Sequence, residues 1–212
     1  FGAAVDLDES DGDPSGAFEP NDDGGTTIFI SGDFGTLTMG DTDGALDWAL
    51  QEVNIGSPGS IDDSETIHAG YSGNSGLDGT HDGQVLRYDY SFGDFGVAVS
   101  AEQDDSATDE GDPVWGIGAS YDGMFAGGSY GIGLGYQTVN DEDGDPTTDD
   151  GTDIFGISAS VALDNGLSAA VNYSTIEVDG ADNDGVHMGI GASYAFDAIT
   201  VHANWGQYDN ET

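Results

Sequence analysis

The chain has 212 residues, with 42 aspartates and glutamates against a single basic side chain, Arg87, and a formal net charge of −41. So acidic a chain repels phosphate backbones, which excludes nucleic acid as a partner. The absence of cysteine excludes disulfides, thiolate metal sites and a cysteine nucleophile.

Taken in order, stretches of alternating apolar and polar residues recur between clusters of Gly, Asp, Asn and Pro, the pattern of β-strands and their turns. The first spans about 1–8, with no start methionine and no basic leader before it. Further strands are expected at about 26–33, 34–41, 84–92, 94–103, 113–122, 128–139, 153–163, 167–178, 185–196 and 198–209. The alternation is clean in 186–196, where Val186, Met188, Ile190, Ala192, Tyr194 and Phe196 oppose His187, Gly189, Gly191 and Ser193. No long amphipathic helix is legible, and no apolar run approaches the roughly 18 residues of a membrane helix. The chain ends on Asn210-Glu211-Thr212, which reads as the start of a polar loop. It is expected to be an internal piece of a longer protein.

The connections alternate strictly in length. Tight turns are expected at about 32–35, 92–95, 122–128, 163–167 and 196–198, and long connections at about 9–25, 42–83, 104–112, 140–152 and 179–184. An up-and-down meander whose two ends face different environments gives this result. About 28 of the 42 carboxylates lie in the long connections. One strand face is apolar, with Tyr88, Tyr90, Phe92, Trp115, Tyr121, Tyr136, Phe155, Tyr173, Tyr194 and Trp205 mostly near strand ends, as in a lipid-facing band with aromatic girdles. The other face is Gly, Ser, Thr, Asn, Gln and His, and is expected to be a wet lumen rather than a packed core. The fold class is therefore all-β: an antiparallel up-and-down transmembrane β-barrel.

Two stretches carry a resemblance. Ser31-Gly-Asp-Phe-Gly-Thr-Leu-Thr-Met-Gly-Asp41 resembles the strand before the constriction loop of general porins of the alphaproteobacterial, Rhodobacter type. Gln84-Val-Leu-Arg-Tyr-Asp-Tyr-Ser-Phe-Gly-Asp-Phe-Gly-Val-Ala-Val-Ser100 resembles the hairpin after that loop. Less specifically, the Gly-Ile-Gly-Ala-Ser-Tyr pieces at 116–121 and 189–194 are similar to that family's later strands. The resemblance implies a trimeric outer-membrane barrel of about 16 strands in the intact protein, of which about 11 are represented here. It makes 1–212 one barrel domain, incomplete at both ends, with 42–83 as an inward-folded constriction loop. The implied partners are outer-membrane lipid, two further copies in a homotrimer, and small hydrophilic solutes and cations. The implied location is the outer membrane of a Gram-negative bacterium.

On this reading the functional centre is the inward loop. Its carboxylates are Asp43, Asp47, Glu52, Asp62, Asp63, Glu65, Asp78 and Asp82. In similar porins such residues face basic residues on the barrel wall, and the one basic residue available here is Arg87, next but one to Asp89 on the strand that follows. By alternation Arg87 shares the lumen face with Asp89. It either contributes to a transverse field or simply forms an ion pair that holds the loop down. An acidic mouth concentrates cations, as Asp and Glu rings do in cation channels. The alternative is that the acidity is halophilic surface adaptation, screened within about 10 Å at ordinary salt.

No cofactor is required, but acidic clusters at Asp8–Asp13, at Asp62, Asp63 and Glu65, and at Asp141, Asp143 and Asp145 suit weak calcium binding. The last cluster is not an EF-hand, since Pro146 stands where glycine is needed and Thr152 where glutamate is. His187 and His202 face inward on neighbouring strands. A turn near Asp197 would pair His187 with Gln207, roughly 17 Å from His202 at strand rise, too far to share a metal. His68 and His81 lie in the long loop and are expected to line the pore. Gly131-Ile-Gly-Leu-Gly135 sits inside a strand with no helix after it, so its glycines read as lumen space or close strand approach rather than a nucleotide loop.

The function expected is passive diffusion of small hydrophilic solutes and ions, with a preference for cations and no enzymatic chemistry. Two other classes are weighed. A secreted calcium-binding structural or adhesion protein lacks the Gly/Asp nonapeptide repeat of calcium β-rolls and does not explain the loop alternation. An outer-membrane barrel enzyme lacks a visible catalytic constellation.

Overall fold

The computed structural model describes residues 2–5, 26–53, 55, 76–81, 84–103, 111–140, 151–180 and 185–210. Eleven strands form one sheet: β1 (Gly2–Val5), β2 (Thr26–Gly32), β3 (Gly35–Asp41), β4 (Gln84–Phe92), β5 (Phe95–Glu102), β6 (Val114–Phe125), β7 (Gly128–Val139), β8 (Thr152–Leu163), β9 (Leu167–Val178), β10 (Gly185–Phe196) and β11 (Ile199–Asn210). They lie side by side in chain order, each antiparallel to the next, with β1 and β11 at the edges. Every second connection is a tight turn. The turn after β4 uses Gly93 at φ 65°, and the turn after β10 uses Asp197 at φ 56°, a left-handed conformation that aspartate tolerates better than most side chains. With that turn at 197–198, His187 pairs with Tyr208 and His202 with Ser193, one residue away from the expected His187–Gln207 pairing.

The burial is inverted relative to a water-soluble sheet. On β10 the polar and glycine positions are the buried ones, while Ile190 is 52% and Tyr194 46% exposed. The same holds on β5 to β9, where Val99, Trp115, Ile117, Leu134 and Ile157 stand exposed on one continuous apolar face. In water such a face is a large liability, whereas in hydrocarbon it is the favourable arrangement. Near the tight turns the outward rings of Phe92, Phe95, Tyr121 and Tyr130 run side by side across β4 to β7, with centroid separations of 5.7, 4.5 and 5.9 Å. Amphipathic rings in such a row suit a membrane–water interface.

The inner face is only partly the wet lumen expected. Between β3 and β4 the chain makes a five-residue helix, α1 (Ala45–Ala49), with Ala45, Leu46 and Ala49 buried against the wall. Leu46 and Leu77 from this connection join Val114, Val139 and Ile154 in a small apolar core, with Leu50 and Ile176 packed on it. The four wall residues lie at the strand ends that carry the long connections. There the sheet has a packed interior; toward the tight turns its inner face is open.

Candidate functional site

The segment after β3 crosses the inner face of the sheet, its backbone passing over glycines of β6, β7 and β10 in turn. Its start is fixed by donors and acceptors that the wall offers. The Ala45 amide donates to Ser100 Oγ at 2.9 Å, and the Gln51 amide to Ser158 Oγ at 2.7 Å. Short hydroxyl side chains suit this task, because they accept a hydrogen bond without holding the backbone far from the sheet. The helical turn satisfies its own interior, with the Trp48 amide on the Gly44 carbonyl and the Leu50 amide on Leu46.

The returning leg is tied as firmly. Buried Gln137 accepts the Leu77 amide at 2.7 Å through Oε1 and donates to Asp78 Oδ1 at 2.6 Å through Nε2. Asp78 in turn accepts the Gly44 amide at 2.7 Å, so one carboxylate joins the two legs. Glu102, 1% exposed, takes the amides of Gly79 and His81 on its two oxygens, both at 3.0 Å. His81 is buried with Nε2 3.0 Å from the Asp112 carbonyl. It therefore does not line the pore as expected; it ties one long connection to the next.

Asp43 and Glu52 are exposed, and Asp47 is half-buried on α1. Burial pushes the Asp47 carboxyl up to about 7, reinforced by Asp43, Asp78 and Glu52 and opposed by Arg87. Burial also raises Asp78 to about 6, against the hydrogen bonds it accepts from Gly44 and Gln137. Arg87 and Asp89 share the inner face of β4. The guanidinium donates from Nη1 to the Asp43 carbonyl at 2.5 Å and from Nε to Asp89 Oδ1 at 3.4 Å. The one basic side chain of the sequence is thus spent on holding the segment's start.

Asp8–Asp13, Asp62, Asp63, Glu65, His68, Asp82, Asp141, Asp143 and Asp145 lie outside the described residues, and with them all three calcium clusters. Among the described residues no group of three or more His, Asp or Glu is placed to hold a metal ion. Past the inward segment, toward the tight turns, the wall bears an open hollow of about 530 Å³ lined by Gln51, Asp122, Ser129, Ser160, Ser168 and Ser193 among others.

What the sequence reading missed is the set of glycines beneath the segment. A β-carbon on Gly118 would stand 2.0 Å from the Ala45 carbonyl oxygen, on Gly133 1.9 Å from that of Ala49, and on Gly191 1.8 Å from that of Val53. The signal was the run of glycines at inward positions, read only as lumen space or close strand approach.

An antiparallel meander with an apolar outer face, an inner face of small polar residues and a chain segment laid across it defines a wall of a membrane-spanning barrel. The family model described as Gram-negative porin matches residues 1–212, and the chain belongs to that family. It is thus a channel protein of the Gram-negative outer membrane. Among solved structures, a porin refined at 1.8 Å is 20% identical over 89% of this chain and 76% of its own, with a TM-score of 0.43. An anion-selective porin from Comamonas acidovorans is 14% identical over 88% of this chain and 67% of its own, with a TM-score of 0.51. OmpT, an outer membrane protein of Vibrio cholerae, is 16% identical over 88% and 69%, with a TM-score of 0.46. No significant match is found among curated proteins.

Proposed function

We propose that this porin passes small hydrophilic solutes and ions with a preference for cations, and that the inward segment within 42–83 is its constriction. The observation that carries the reading is the fate of Arg87. It is the sole Lys or Arg in the sequence, and both its described contacts are local, to Asp43 and Asp89. Within these 212 residues no other lysine or arginine can face an anion, while Asp43, Asp47 and Glu52 lie on the segment; the other wall arginines of similar porins would fall mainly on strands outside this piece. Fixed carboxylates at a narrow point raise the local cation concentration, and the low-dielectric wall focuses their field. The anion selectivity named for the Comamonas porin belongs to that protein; at 14% identity only the fold is shared.

The reading further places the protein in the alphaproteobacterial type of porin, as a homotrimer of barrels of about 16 strands. The resemblance at 31–41 and 84–100 supports this. The test is the zero-current potential of the intact protein in a planar bilayer under a salt gradient. A potential of the sign set by cation flow, with openings in groups of three, is expected. A potential of anion sign overturns the preference, and no current from a folded protein overturns the channel reading.

A further inference from the structure

The inward segment does not merely touch the wall. Its backbone approaches at three points closer than any side chain would permit. The carbonyls of Ala45, Ala49 and Val53, four residues apart, point at Gly118 on β6, Gly133 on β7 and Gly191 on β10. None of the three glycines adopts a positive φ, so strand geometry alone would accept alanine at each. Glycine is required there by the approach and not by the backbone conformation. Beside them, Gly135 lies under the Leu46 backbone at 2.9 Å and Gly156 under Leu50 Cδ1 at 2.4 Å, measured from the β-carbon each lacks.

We propose that Gly118, Gly133 and Gly191 set the height at which the inward segment lies on the wall, and through it the bore left for solutes. This rests on the reading of the lumen as the solute path. The inward positions of β7 show the division of labour along one strand. Gln137 anchors the returning leg, Gly135 and Gly133 seat the outgoing one, and Gly131 lies beyond it. A β-carbon on Gly131 would meet only Asp122 Oδ1 and Ser160 Oγ, each at 3.0 Å, and no atom of the segment. A methyl at Gly133 faces backbone that cannot rotate away. The segment must retreat until the 1.9 Å approach reaches the 3.4 Å at which ordinary contact begins, and the only free direction is into the lumen.

The experiment is single-channel conductance of the intact protein carrying Gly133→Ala, Gly191→Ala or, as control, Gly131→Ala, with folding checked by β-sheet circular dichroism. Loss of conductance in the first two with none in the control supports the seats. Unchanged conductance in folded Gly133→Ala and Gly191→Ala overturns them while leaving the channel reading intact. A folded parent protein without current overturns both. Should these variants fail to fold, Gly135→Ala gives the same test with a milder clash, because its nearest obstacle is also backbone, Leu46 Cα at 2.9 Å. Its conductance is expected to fall; an unchanged conductance in folded Gly135→Ala overturns the proposal.

Discussion

Asp47 and Asp78 give the inward segment a charge that depends on pH. Both carboxyls are raised, to about 7 and about 6, so the docked segment binds protons more tightly than the same residues free in water, at 3.8. Docking is therefore most favourable below the free value, and that contribution is lost as pH climbs through about 6 and then about 7. Over the same window the segment gains negative charge. Cation preference should strengthen between about pH 5 and pH 8, and Asp47→Asn should flatten the upper part of that rise; a flat profile in the parent protein contradicts the assignment. Single residues also mark the limits of sequence reading. Arg87 and Asp89 were legible as lumen partners from alternation alone. The burial of His81 was not, because its partners Glu102 and Asp112 are distant in sequence and nothing periodic links them.

The strands themselves were almost wholly legible, with β4, β9 and β10 bounded where the alternation begins and ends. Lipid on one face and water or packed polar groups on the other force a period of two, and that period is the strongest local signal a sequence carries. Helix α1 was not legible, since five residues are too few to show a helical period and its burial depends on a wall formed by other strands. For the same reason the packed part of the inner face was hidden: Leu46 and Leu77 find Val114, Val139 and Ile154 only after folding. Gln137 is the side chain on which the returning leg depends most. Gln137→Ala leaves the buried Leu77 amide without its acceptor, at a cost of about 1–3 kcal/mol. The amide at Leu77 should then exchange with deuterium faster in the variant, while exchange in β9 and β10 stays unchanged. Equal rates at Leu77 would show that the leg is held by other contacts.

At the scale of the whole molecule, the inverted burial places the outward side chains in hydrocarbon. Ile157, exposed at the middle of β8, should tolerate arginine poorly, losing about 2–4 kcal/mol if it lies near the bilayer midplane. Ser160→Arg, facing the open lumen on the same strand, should fold like the parent protein. Equal folding stability of the two variants in lipid vesicles would contradict the assignment of faces. The acidity of the chain has two readings at this scale, a selective constriction or a charged outer surface whose field is screened within about 10 Å. They separate in one measurement. The zero-current potential under a salt gradient should move toward neutral selectivity when Asp43→Asn, Asp47→Asn and Glu52→Gln are combined, although most of the acidic side chains lie elsewhere in the chain. An unchanged cation-selective potential in the folded triple variant would place selectivity in other acidic residues and contradict a selective constriction formed by Asp43, Asp47 and Glu52.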